Sequence, residues 1–303
     1  MKILLLGKNG QVGWELQRSL AVLGEVVALD FDSSGPLKAD FSKPESLAAT
    51  VRAVAPQIIV NAAAHTAVDK CESEPDVARA LNATSPAVLA REAKALGAWL
   101  LHYSTDYVFD GSGSTPWVEN SPTGPLNVYG QTKLEGEEAI RSSGCQHLIL
   151  RTSWVYAARG GNFAKVMLKL AAERERLTVI DDQFGAPTGA DLLADLSAHV
   201  LRTALQRHEV AGTYHAVAQG ETTWHAYARH VIEFARAAGR PVKVAPGAIE
   251  PVPTSAFPTP AKRPTNSRMN THKLRDTFDL TLPAWQLGVD RMLTEVLGSP
   301  ETT

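Results

Sequence analysis

A tyrosine and a lysine four residues apart could together donate a proton. Tyr129 and Lys133 belong to the segment YGQTK, and on a helix this spacing places both side chains on one face. An ammonium group close to a phenol favours the phenolate and lowers the tyrosine pKa. Tyr129 could then protonate a carbonyl oxygen near neutral pH. This spacing is also common on solvated helix faces, so the interpretation needs support from other residues.

A hydroxyl group that could complete the pair follows the fourth predicted strand. Thr105 lies in the segment STDY, just past the apolar run 99–103. Ligands of open parallel sheets bind outside the carboxyl ends of the strands. We therefore predict that a substrate carbonyl oxygen lies between the Thr105 hydroxyl and the Tyr129 phenol.

A glycine-rich loop near the N-terminus predicts a dinucleotide site. Gly7, Gly10 and Gly13 follow the first predicted strand and open the first predicted helix. Glycines let the backbone turn tightly and approach a pyrophosphate, and the helix N-terminus offers free amides. Asp30 ends the second predicted strand, where a carboxylate can accept hydrogen bonds from ribose hydroxyls. The order of strand, loop, helix and acid indicates a dinucleotide cofactor.

The elements that must position these residues alternate between strand and helix in the first half of the chain. Continuous apolar runs are typical of strands buried on both faces. Such runs predict strands at 3–6, 26–29, 58–60, 99–103 and 147–150. Helical periodicity covers 12–23, 44–54, 75–96 and 128–141. The alternation predicts an α/β fold with a Rossmann-type doubly wound parallel sheet.

The second half of the chain is less regular. Helices are predicted at 160–174, 191–206, 224–238 and 283–297, and strands at 178–180 and 214–217. The proline-rich stretch 241–264 predicts a functional loop or a substrate lid without helix or strand. We expect a dinucleotide-binding domain of residues 1–151 plus about 190–217. A smaller, interleaved substrate-binding domain would take about 152–189 plus 218–303.

Composition limits the class of partner and the compartment. The 303 residues carry a formal net charge of -2, which gives no electrostatic reason to expect nucleic acid or an anionic membrane as partner. No apolar stretch approaches a membrane span, and the first apolar run stops at Gly7, too early for a signal peptide. Cys71 and Cys145 lack CxxC spacing and are expected to be reduced. We expect a cytoplasmic protein.

Seven segments, spread over nearly the whole chain, carry a family resemblance. They are 7–16 (GKNGQVGWEL), 61–70 (NAAAHTAVDK), 102–109 (HYSTDYVF), 126–133 (LNVYGQTK), 151–156 (RTSWVY), 182–189 (DQFGAPTG) and 263–268 (RPTNSR). Together they resemble the extended short-chain dehydrogenases/reductases that modify sugar nucleotides, and among these the dTDP-4-dehydrorhamnose reductase family. The resemblance implies that NADH or NADPH reduces the 4-keto group of dTDP-4-dehydro-L-rhamnose to give dTDP-L-rhamnose.

The resemblance also implies roles for individual residues. Thr105, Tyr129 and Lys133 would be catalytic, and Trp154 with the Thr105–Asp106 pair would contact the dTDP-sugar. Tyr129 and Lys133 would also contact the cofactor, in a cleft lined by Gln11, Val12, Asp40, Phe41, Ala64, His65, Thr66 and Tyr103. Alternatives stay open: Asp40–Phe41 as a helix-capping segment ahead of Pro44, His65 as a loop histidine, and Trp154 as a core residue.

Three polar residues in the second half are further candidates for substrate binding. The Arg263 guanidinium could clamp a diphosphate through two hydrogen bonds, or it could be a solvated surface group. Asn162 and Gln183 lie in predicted loops of the substrate-binding domain.

Two acids allow a structural and a metal-binding interpretation. Glu15 and Asp191 open predicted helices, where acids interact favourably with the helix dipole, and this is the preferred interpretation. The resemblance adds the alternative that such acids bind magnesium (Mg²⁺) at the interface of a homodimer. Oxygen ligands suit that ion.

Two competing functions remain open. One is another extended-family sugar-nucleotide enzyme, such as a reductase, epimerase or dehydratase. Dehydratases place further acids beside the active-site threonine, whereas Tyr107 follows Asp106 here, which favours plain reduction. The other is a non-catalytic regulatory subunit, the use that methionine adenosyltransferase makes of a related fold. The presence of Thr105, Tyr129 and Lys133 favours an enzyme.

Asp30 predicts the cofactor preference. Its carboxylate would accept a hydrogen bond from a 2′-hydroxyl and repel a 2′-phosphate, while the nearest cations in sequence are Lys8 and Lys38. We expect NADH to work at least as well as NADPH, as measured by kcat/KM for each cofactor with the same sugar substrate. A strong preference for NADPH would contradict the role given to Asp30.

Overall fold

Six strands pair side by side in one parallel sheet. The computed structural model of the protein describes residues 1–35 and 37–298. Its strands are β1 (Lys2–Leu6), β2 (Glu25–Leu29), β3 (Ile58–Asn61), β4 (Trp99–Thr105), β5 (His147–Thr152), β6 (Val155–Tyr156), β7 (Leu177–Ile180), β8 (Phe184–Gly185), β9 (Thr188–Gly189), β10 (Gly212–His215), β11 (Thr222–Thr223) and β12 (Ile249–Val252). Six of them form a sheet in the order β10-β5-β4-β3-β1-β2, with parallel neighbours throughout. The predicted parallel α/β fold is confirmed.

Helices alternate with these strands and cover both faces of the sheet. They are α1 (Gln11–Leu20), α2 (Pro44–Val54), α3 (Val68–Ser73), α4 (Pro75–Arg79), α5 (Ser85–Leu96), α6 (Val128–Ser143), α7 (Phe163–Glu173), α8 (Ala190–Ala204), α9 (Trp224–Ala237), α10 (His272–Phe278) and α11 (Trp285–Leu297). Within the described ranges, no helix combines the length and the apolar character that crossing a membrane requires.

The side-chain alternation of the strands explains why both faces are covered. In β1, Ile3 and Leu5 pack into one apolar layer together with side chains of α1 and α8. Leu4 and Leu6 point to the opposite face and pack with side chains of α2 and α5. Because successive residues of a strand face opposite sides, an uninterrupted apolar run is stable only between two such layers.

A third apolar cluster lies apart from the sheet. It joins α7, α9 and α11 through buried residues that include Met167, Tyr227 and Trp285. In contrast, α8 and β10 pack with the sheet, although they come late in the chain. The division into two interleaved domains stays a prediction.

The structure corrects several predicted elements. The predicted helix 75–96 is interrupted by a π-helical turn at Ala80–Thr84, just before Pro86, whose missing N–H and ring disfavour a regular helical turn. The proline-rich stretch 241–264 contains β12, which pairs with β7, and a 3₁₀ turn at Thr254–Ala256. Thr105 is the last residue of β4 and does not lie past its end. The short helices α3 and α10 were not predicted from the sequence.

A buried ion pair joins α6 to β5. The Arg151 guanidinium donates from Nε and Nη2 to the two carboxylate oxygens of Glu137, at 2.9 and 2.7 Å. Glu137 is 0% exposed and also accepts a 2.9 Å hydrogen bond from Arg141. Burial alone would raise the pKa of the Glu137 carboxyl, but Arg151, together with hydrogen bonds from Ser104 and Arg141, outweighs it and the pKa is lowered. The pair therefore carries its charge inside the fold.

Removing one partner of this pair is expected to destabilise the fold. Arg151→Met leaves the Glu137 carboxylate without its main partner and should lower the free energy of unfolding by about 3–5 kcal/mol. Urea unfolding followed by circular dichroism measures this change. The double variant Arg151→Met/Glu137→Leu removes the charge as well and should recover most of the loss. A single variant as stable as the parent would show that the ion pair does not hold α6 in place.

Candidate active site

A cavity of about 430 Å³ lies at the carboxyl ends of the central strands, and we call it the central cleft. It brings together residues from the glycine loop, from the ends of β3, β4 and β5, and from α6. The sequence-predicted residues that line it are Gly10, Gln11, Val12, Ala64, Thr66, Tyr103, Thr105, Asp106, Tyr129, Lys133 and Trp154.

A second cavity of about 420 Å³ adjoins the central cleft and is called here the glycine-loop cavity. Gly10 and the segment Ala62–Ala64 line both cavities. The glycine-loop cavity also contains the predicted residues Gly7, Asp30, Asp40 and Phe41. The two cavities form a trough along the edge of the sheet that suits an extended dinucleotide.

The glycine loop leaves the start of α1 open to the trough. Gly10 is the N-cap of α1, no side chain caps the helix, and its first turn contains no acid. The free amides of that turn can therefore bind an anion. Gly13 packs directly on Gly7, since a Cβ atom at Gly13 would overlap the Gly7 carbonyl group.

Two carboxylates lie along the glycine-loop cavity. Asp30 accepts hydrogen bonds from the backbone N–H groups of Asn9 (3.1 Å) and Phe31 (2.8 Å), which fix its orientation. Asp40 accepts one from the N–H of Ser42 at 3.0 Å, and the pKa of Asp40 is lowered, mainly by the Ser42 side chain. Asp40 does not cap α2, because the N-cap position is Lys43.

Thr105 and Tyr129 face each other across the central cleft. The Thr105 hydroxyl donates to Asp106 Oδ1 at 3.0 Å and accepts from the Tyr107 N–H at 3.2 Å. Tyr129 lies in the first turn of α6, which Asn127 caps by accepting from the Gly130 N–H at 2.8 Å. Burial raises the pKa of the Tyr129 phenol more than its hydrogen bond with Thr105 lowers it.

Lys133 extends below the central cleft from the face of α6 that also carries Tyr129. Its Nζ donates to the Tyr103 carbonyl oxygen at 2.5 Å and lies 3.3 Å from His102 Nε2. Burial lowers the pKa of Lys133 to about 8. The expected net lowering of the Tyr129 pKa is therefore wrong for this structure, because burial dominates at both groups.

A third cavity of about 560 Å³ adjoins the central cleft and is called here the side cavity. Tyr107 and Trp224 line both the cleft and the side cavity. Other lining residues of the side cavity are Phe163, Met167, Arg174, Arg176, Gln183 and Arg263. A ligand in the side cavity could therefore extend one end into the cleft beside Tyr129.

Two stacked indoles separate the central cleft from the side cavity. The rings of Trp154 and Trp224 stack with their centroids 3.7 Å apart and their planes at 17°. Trp154 has a φ of 49°, a left-handed conformation that side chains other than glycine rarely adopt. A Cβ atom at Gly185 would lie 2.7 Å from the Trp154 indole. Such strain often occurs at functional sites, which favours a ligand-binding role for Trp154 over a core role.

The chain is similar to known proteins over nearly its whole length. The family described as RmlD substrate binding domain matches residues 1–297. A dTDP-4-dehydrorhamnose reductase of Shigella flexneri is 60% identical over 296 residues, which cover 98% of each chain. The crystal structure of a dTDP-4-dehydrorhamnose reductase from Clostridium acetobutylicum superposes with a TM-score of 0.86 at 34% identity, covering 98% of this chain and 99% of that one. The Bacillus anthracis structure, a complex with NADP, gives 0.85 at 32% identity, with coverages of 97% and 99%.

The chain belongs to the dTDP-4-dehydrorhamnose reductase family. It is therefore an oxidoreductase by descent, and the predicted resemblance is confirmed.

Two residues predicted to line the cofactor cleft use their side chains elsewhere. The His65 imidazole lies 3.4 Å from Glu74 and 3.5 Å from Cys71, which supports the loop-histidine alternative. The Tyr103 hydroxyl forms a buried 2.5 Å hydrogen bond with Ser197, so Tyr103 offers the cleft its backbone, and its carbonyl holds Lys133.

The three substrate-binding residues predicted in the second half of the chain also form contacts within the protein. Asn162 caps α7 by accepting from the Lys165 N–H at 3.2 Å, and its Nδ2 donates to Gln11 of the central cleft at 3.4 Å, so its contact with substrate stays a prediction. Gln183 is buried beside the side cavity and accepts from Trp224 Nε1 at 3.0 Å. Arg263 forms a bidentate ion pair with Asp69, at 3.0 and 2.8 Å, so its charge is already matched.

Glu15 and Asp191 line one small hollow. Asp191 lies in the first turn of α8, but Glu15 does not lie in the first turn of α1, because that helix begins at Gln11. Glu15 instead pairs with Arg18 at 3.5 Å, and Asp191 lies 4.0 Å from Arg291. Within residues 1–35 and 37–298, no group of three or more His, Cys, Asp or Glu side chains could hold a metal ion.

Several residues of the cleft were not predicted from the sequence. Trp224 is the first residue of α9. In the fold it stacks on Trp154 and lines both the central cleft and the side cavity, and no local sequence pattern indicated this. Asn61 and His102 are paired across β3 and β4 below Lys133. In the sequence Asn61 directly follows the apolar run 58–60 and His102 interrupts the run 99–103, and a polar residue at such a position is a hint of a site.

Asp106 is buried at the cleft with one oxygen free. It is 2% exposed, and within the described part of the chain its Oδ2 has no hydrogen-bond partner. Burial raises the pKa of this carboxyl from 3.8 to about 6, against hydrogen bonds from Ser267 and Thr105 that lower it. Because the folded-state pKa is raised, the fold is stabilised below pH 4 and loses that stability as the pH rises through 6.

Asp106→Asn should therefore stabilise the protein above pH 6. The amide keeps the shape but carries no charge, so the free energy of unfolding should rise by about 3 kcal/mol at pH 7.5, the equivalent of the two-unit pKa shift. The gain should shrink at pH 4.5, where the parent carboxyl is protonated in the fold. Urea unfolding at the two pH values measures it. A gain of equal size at both would rule out the buried charge as its cause.

Proposed function

We propose that this protein uses NADH or NADPH to reduce the 4-keto group of dTDP-4-dehydro-L-rhamnose, giving dTDP-L-rhamnose. The observation that carries the proposal is the position of the central cleft, with Thr105, Tyr129 and Lys133, between the glycine-loop cavity and the side cavity. A reductase needs a site for each of two ligands that meet at one proton donor. The sequence identity to reductases of that name supports the particular sugar.

The trough of the two adjoining cavities fits a nicotinamide dinucleotide. The open N-terminus of α1 would bind the pyrophosphate, and Asp30 would accept hydrogen bonds from the adenosine ribose. Gly10, which lines both cavities, lets the backbone approach the ligand. The reduced nicotinamide, bound over the central cleft, would supply the hydride.

Tyr129 is the proton donor in the proposed mechanism. Its raised pKa keeps the phenol protonated, which is the state required when negative charge develops on the sugar carbonyl oxygen. Thr105 lies opposite Tyr129 and can turn its hydroxyl from Asp106 to that oxygen. Lys133, held by the Tyr103 carbonyl, supplies positive charge beneath the phenol when it is protonated.

We further propose that the side cavity holds the thymidine diphosphate. Phe163 and Met167 offer an apolar wall for a base, and Arg174 and Arg176 lie exposed at the edge of the cavity. Because Asp69 already neutralises Arg263, the phosphates should depend more on Arg174 and Arg176 than on Arg263. The stacked Trp154 and Trp224 then pack against the sugar between the two cavities.

The assembly and cellular setting are also proposals. We propose a homodimer in the cytoplasm that contributes to the synthesis of rhamnose-containing cell-surface polysaccharide such as lipopolysaccharide O-antigen. Glu15 and Asp191 share a hollow, which supports Mg²⁺ at a subunit interface. Two carboxylates are enough for Mg²⁺, which usually keeps several water ligands.

The activity is tested by following the absorbance of the reduced nicotinamide. Consumption of NADH or NADPH with dTDP-4-dehydro-L-rhamnose, but not with UDP-keto-sugars, is the expected result. Turnover with another keto-sugar alone would favour a different member of the extended family. No turnover with any keto-sugar of the panel would favour the regulatory subunit.

Tyr129→Phe is expected to lower kcat with little change in cofactor affinity. The substitution removes the proton but keeps the ring, and proton donation acts in the transition state. General-acid catalysis contributes roughly 10²–10⁴-fold, so a loss of that order is expected. Steady-state kinetics and a cofactor titration measure the two effects.

Two companion variants sharpen this test. Thr105→Val removes a hydrogen bond and no proton source, so its loss should be smaller than that of Tyr129→Phe. Lys133→Met should lower kcat and weaken cofactor binding together. Near-native turnover of a folded Tyr129→Phe variant would show that the proton comes from another group.

A further inference from the structure

Beneath the central cleft, a chain of buried hydrogen bonds links the ends of β3 and β4 to Lys133. Asn61 and His102 lie opposite each other in the β3–β4 register, and both are 1% exposed. Asn61 Nδ2 lies 3.0 Å from His102 Nδ1, and His102 Nε2 lies 3.3 Å from Lys133 Nζ. Neither Asn61 nor His102 has a role in the mechanism proposed above.

The orientation of the Asn61 amide determines where His102 carries its proton. Asn61 Oδ1 accepts the backbone N–H of Ala63 at 3.1 Å, so the nitrogen of the amide faces His102. An amide nitrogen can only donate, and His102 Nδ1 must therefore accept. A neutral imidazole that accepts at Nδ1 carries its hydrogen on Nε2.

The His102 ring is neutral under ordinary conditions. Burial, with the nearby Lys133 charge, holds the pKa of His102 well below its usual value. The Nε2–H bond then points at Lys133 Nζ. An ammonium group has three donors and no lone pair, so this contact is unfavourable for charged Lys133 and favourable for the neutral amine, which can accept.

We propose that His102, oriented by Asn61, is a positioning residue that presents an N–H to Lys133 and so sets the pH at which Lys133 loses its charge. The proposal deepens the proposed function, because it rests on the role of the Lys133 charge in supporting proton donation by Tyr129. The reduction should slow as the pH rises and Lys133 becomes neutral. Without the His102 N–H, Lys133 should stay charged to higher pH.

Other titratable and charged groups surround the cleft but do not replace His102, and among them Glu137 acts on the Lys133 charge. Tyr129 and Glu137 lie on the same helix, Arg151 is on β5, Cys71 is on α3, and Asp106 follows β4. Glu137 favours the charged amine, but its carboxylate is already shared by Arg151 and Arg141. Hydrogen bonds to Lys133 Nζ come from β4 alone within the described residues, through the Tyr103 carbonyl and His102.

The tautomer of His102 can be read without any assay of activity. In protein labelled with ¹⁵N-histidine, two-dimensional NMR distinguishes a protonated Nε2 from a protonated Nδ1, and His102→Leu identifies the resonance. We expect protonation at Nε2 between pH 6.5 and 9. Asn61→Asp replaces the donor amide with a carboxylate, which should accept from Nδ1–H and move the proton to Nδ1. A parent protein with Nδ1 protonated would overturn the proposal.

The pH dependence of kcat tests the consequence for Lys133. In the parent, kcat should fall as the pH rises through about 8, the lowered pKa of Lys133. In His102→Leu the pH at which kcat falls should rise by about one unit, the scale typical of one strong local interaction. Asn61→Asp should move it up further, since the re-oriented imidazole then accepts from the ammonium.

The double variant separates the tautomer from a simple charge effect. Without the imidazole, Asn61→Asp should add much less to the shift than it does in the parent background. An equal shift in both backgrounds would show that the new carboxylate acts through its charge alone and would overturn the role of His102. If His102→Leu lowered kcat but left the pH of its fall unchanged, His102 would be merely structural. Failure of turnover in the parent would reject the proposed function and leave the tautomer measurement to decide the geometry.

Discussion

The buried ion pair between Glu137 and Arg151 fixes the angle at which α6 faces the sheet. Tyr129, Lys133 and Glu137 follow one another at steps of four residues, so they share one face of the helix. Glu137 is held by β5 at one end of that face, and Lys133 is held by the Tyr103 carbonyl of β4 in the middle. The position of the Tyr129 phenol at the other end then follows. A small rotation of α6 would break both contacts and move the phenol away from Thr105.

The sequence alone predicted those features that depend on residues close together in the chain. Continuous apolar runs predicted the central strands, because a strand between two helical layers has no polar face to interrupt the run. The glycine loop and the Tyr129–Lys133 spacing could be read for the same reason, since each depends on residues close together in the chain. Helix boundaries differed by a few residues. The π-helical turn at Ala80–Thr84 was missed because the helical periodicity continues through Pro86.

Pairings between distant segments could not be predicted. Asp69 and Arg263 are 194 residues apart in the chain and form an ion pair. Trp154, between β5 and β6, stacks on Trp224 at the start of α9. The first pairing turns a candidate phosphate ligand into a neutralised one, and the second creates the wall between two cavities. Arg263 and Trp154 were both candidate ligand-binding residues, but the sequence did not reveal their partners. The partner determines whether each side chain is free to bind a ligand.

The same limit explains the error about the Tyr129 pKa. The spacing of Tyr129 and Lys133 indicates proximity, but it says nothing about the loss of water around them. In the assembled cleft burial penalises every charge: it lowers the pKa of Lys133 to about 8 and raises that of Asp106 to about 6. It also raises the pKa of Tyr129. The raised pKa keeps the phenol protonated, so the proton is in place before hydride arrives, but it also makes the phenol a weaker acid. In the proposed reduction, positive charge at Lys133 offsets that cost while negative charge moves from the carbonyl oxygen to the phenolate, so proton donation depends on Lys133 staying charged.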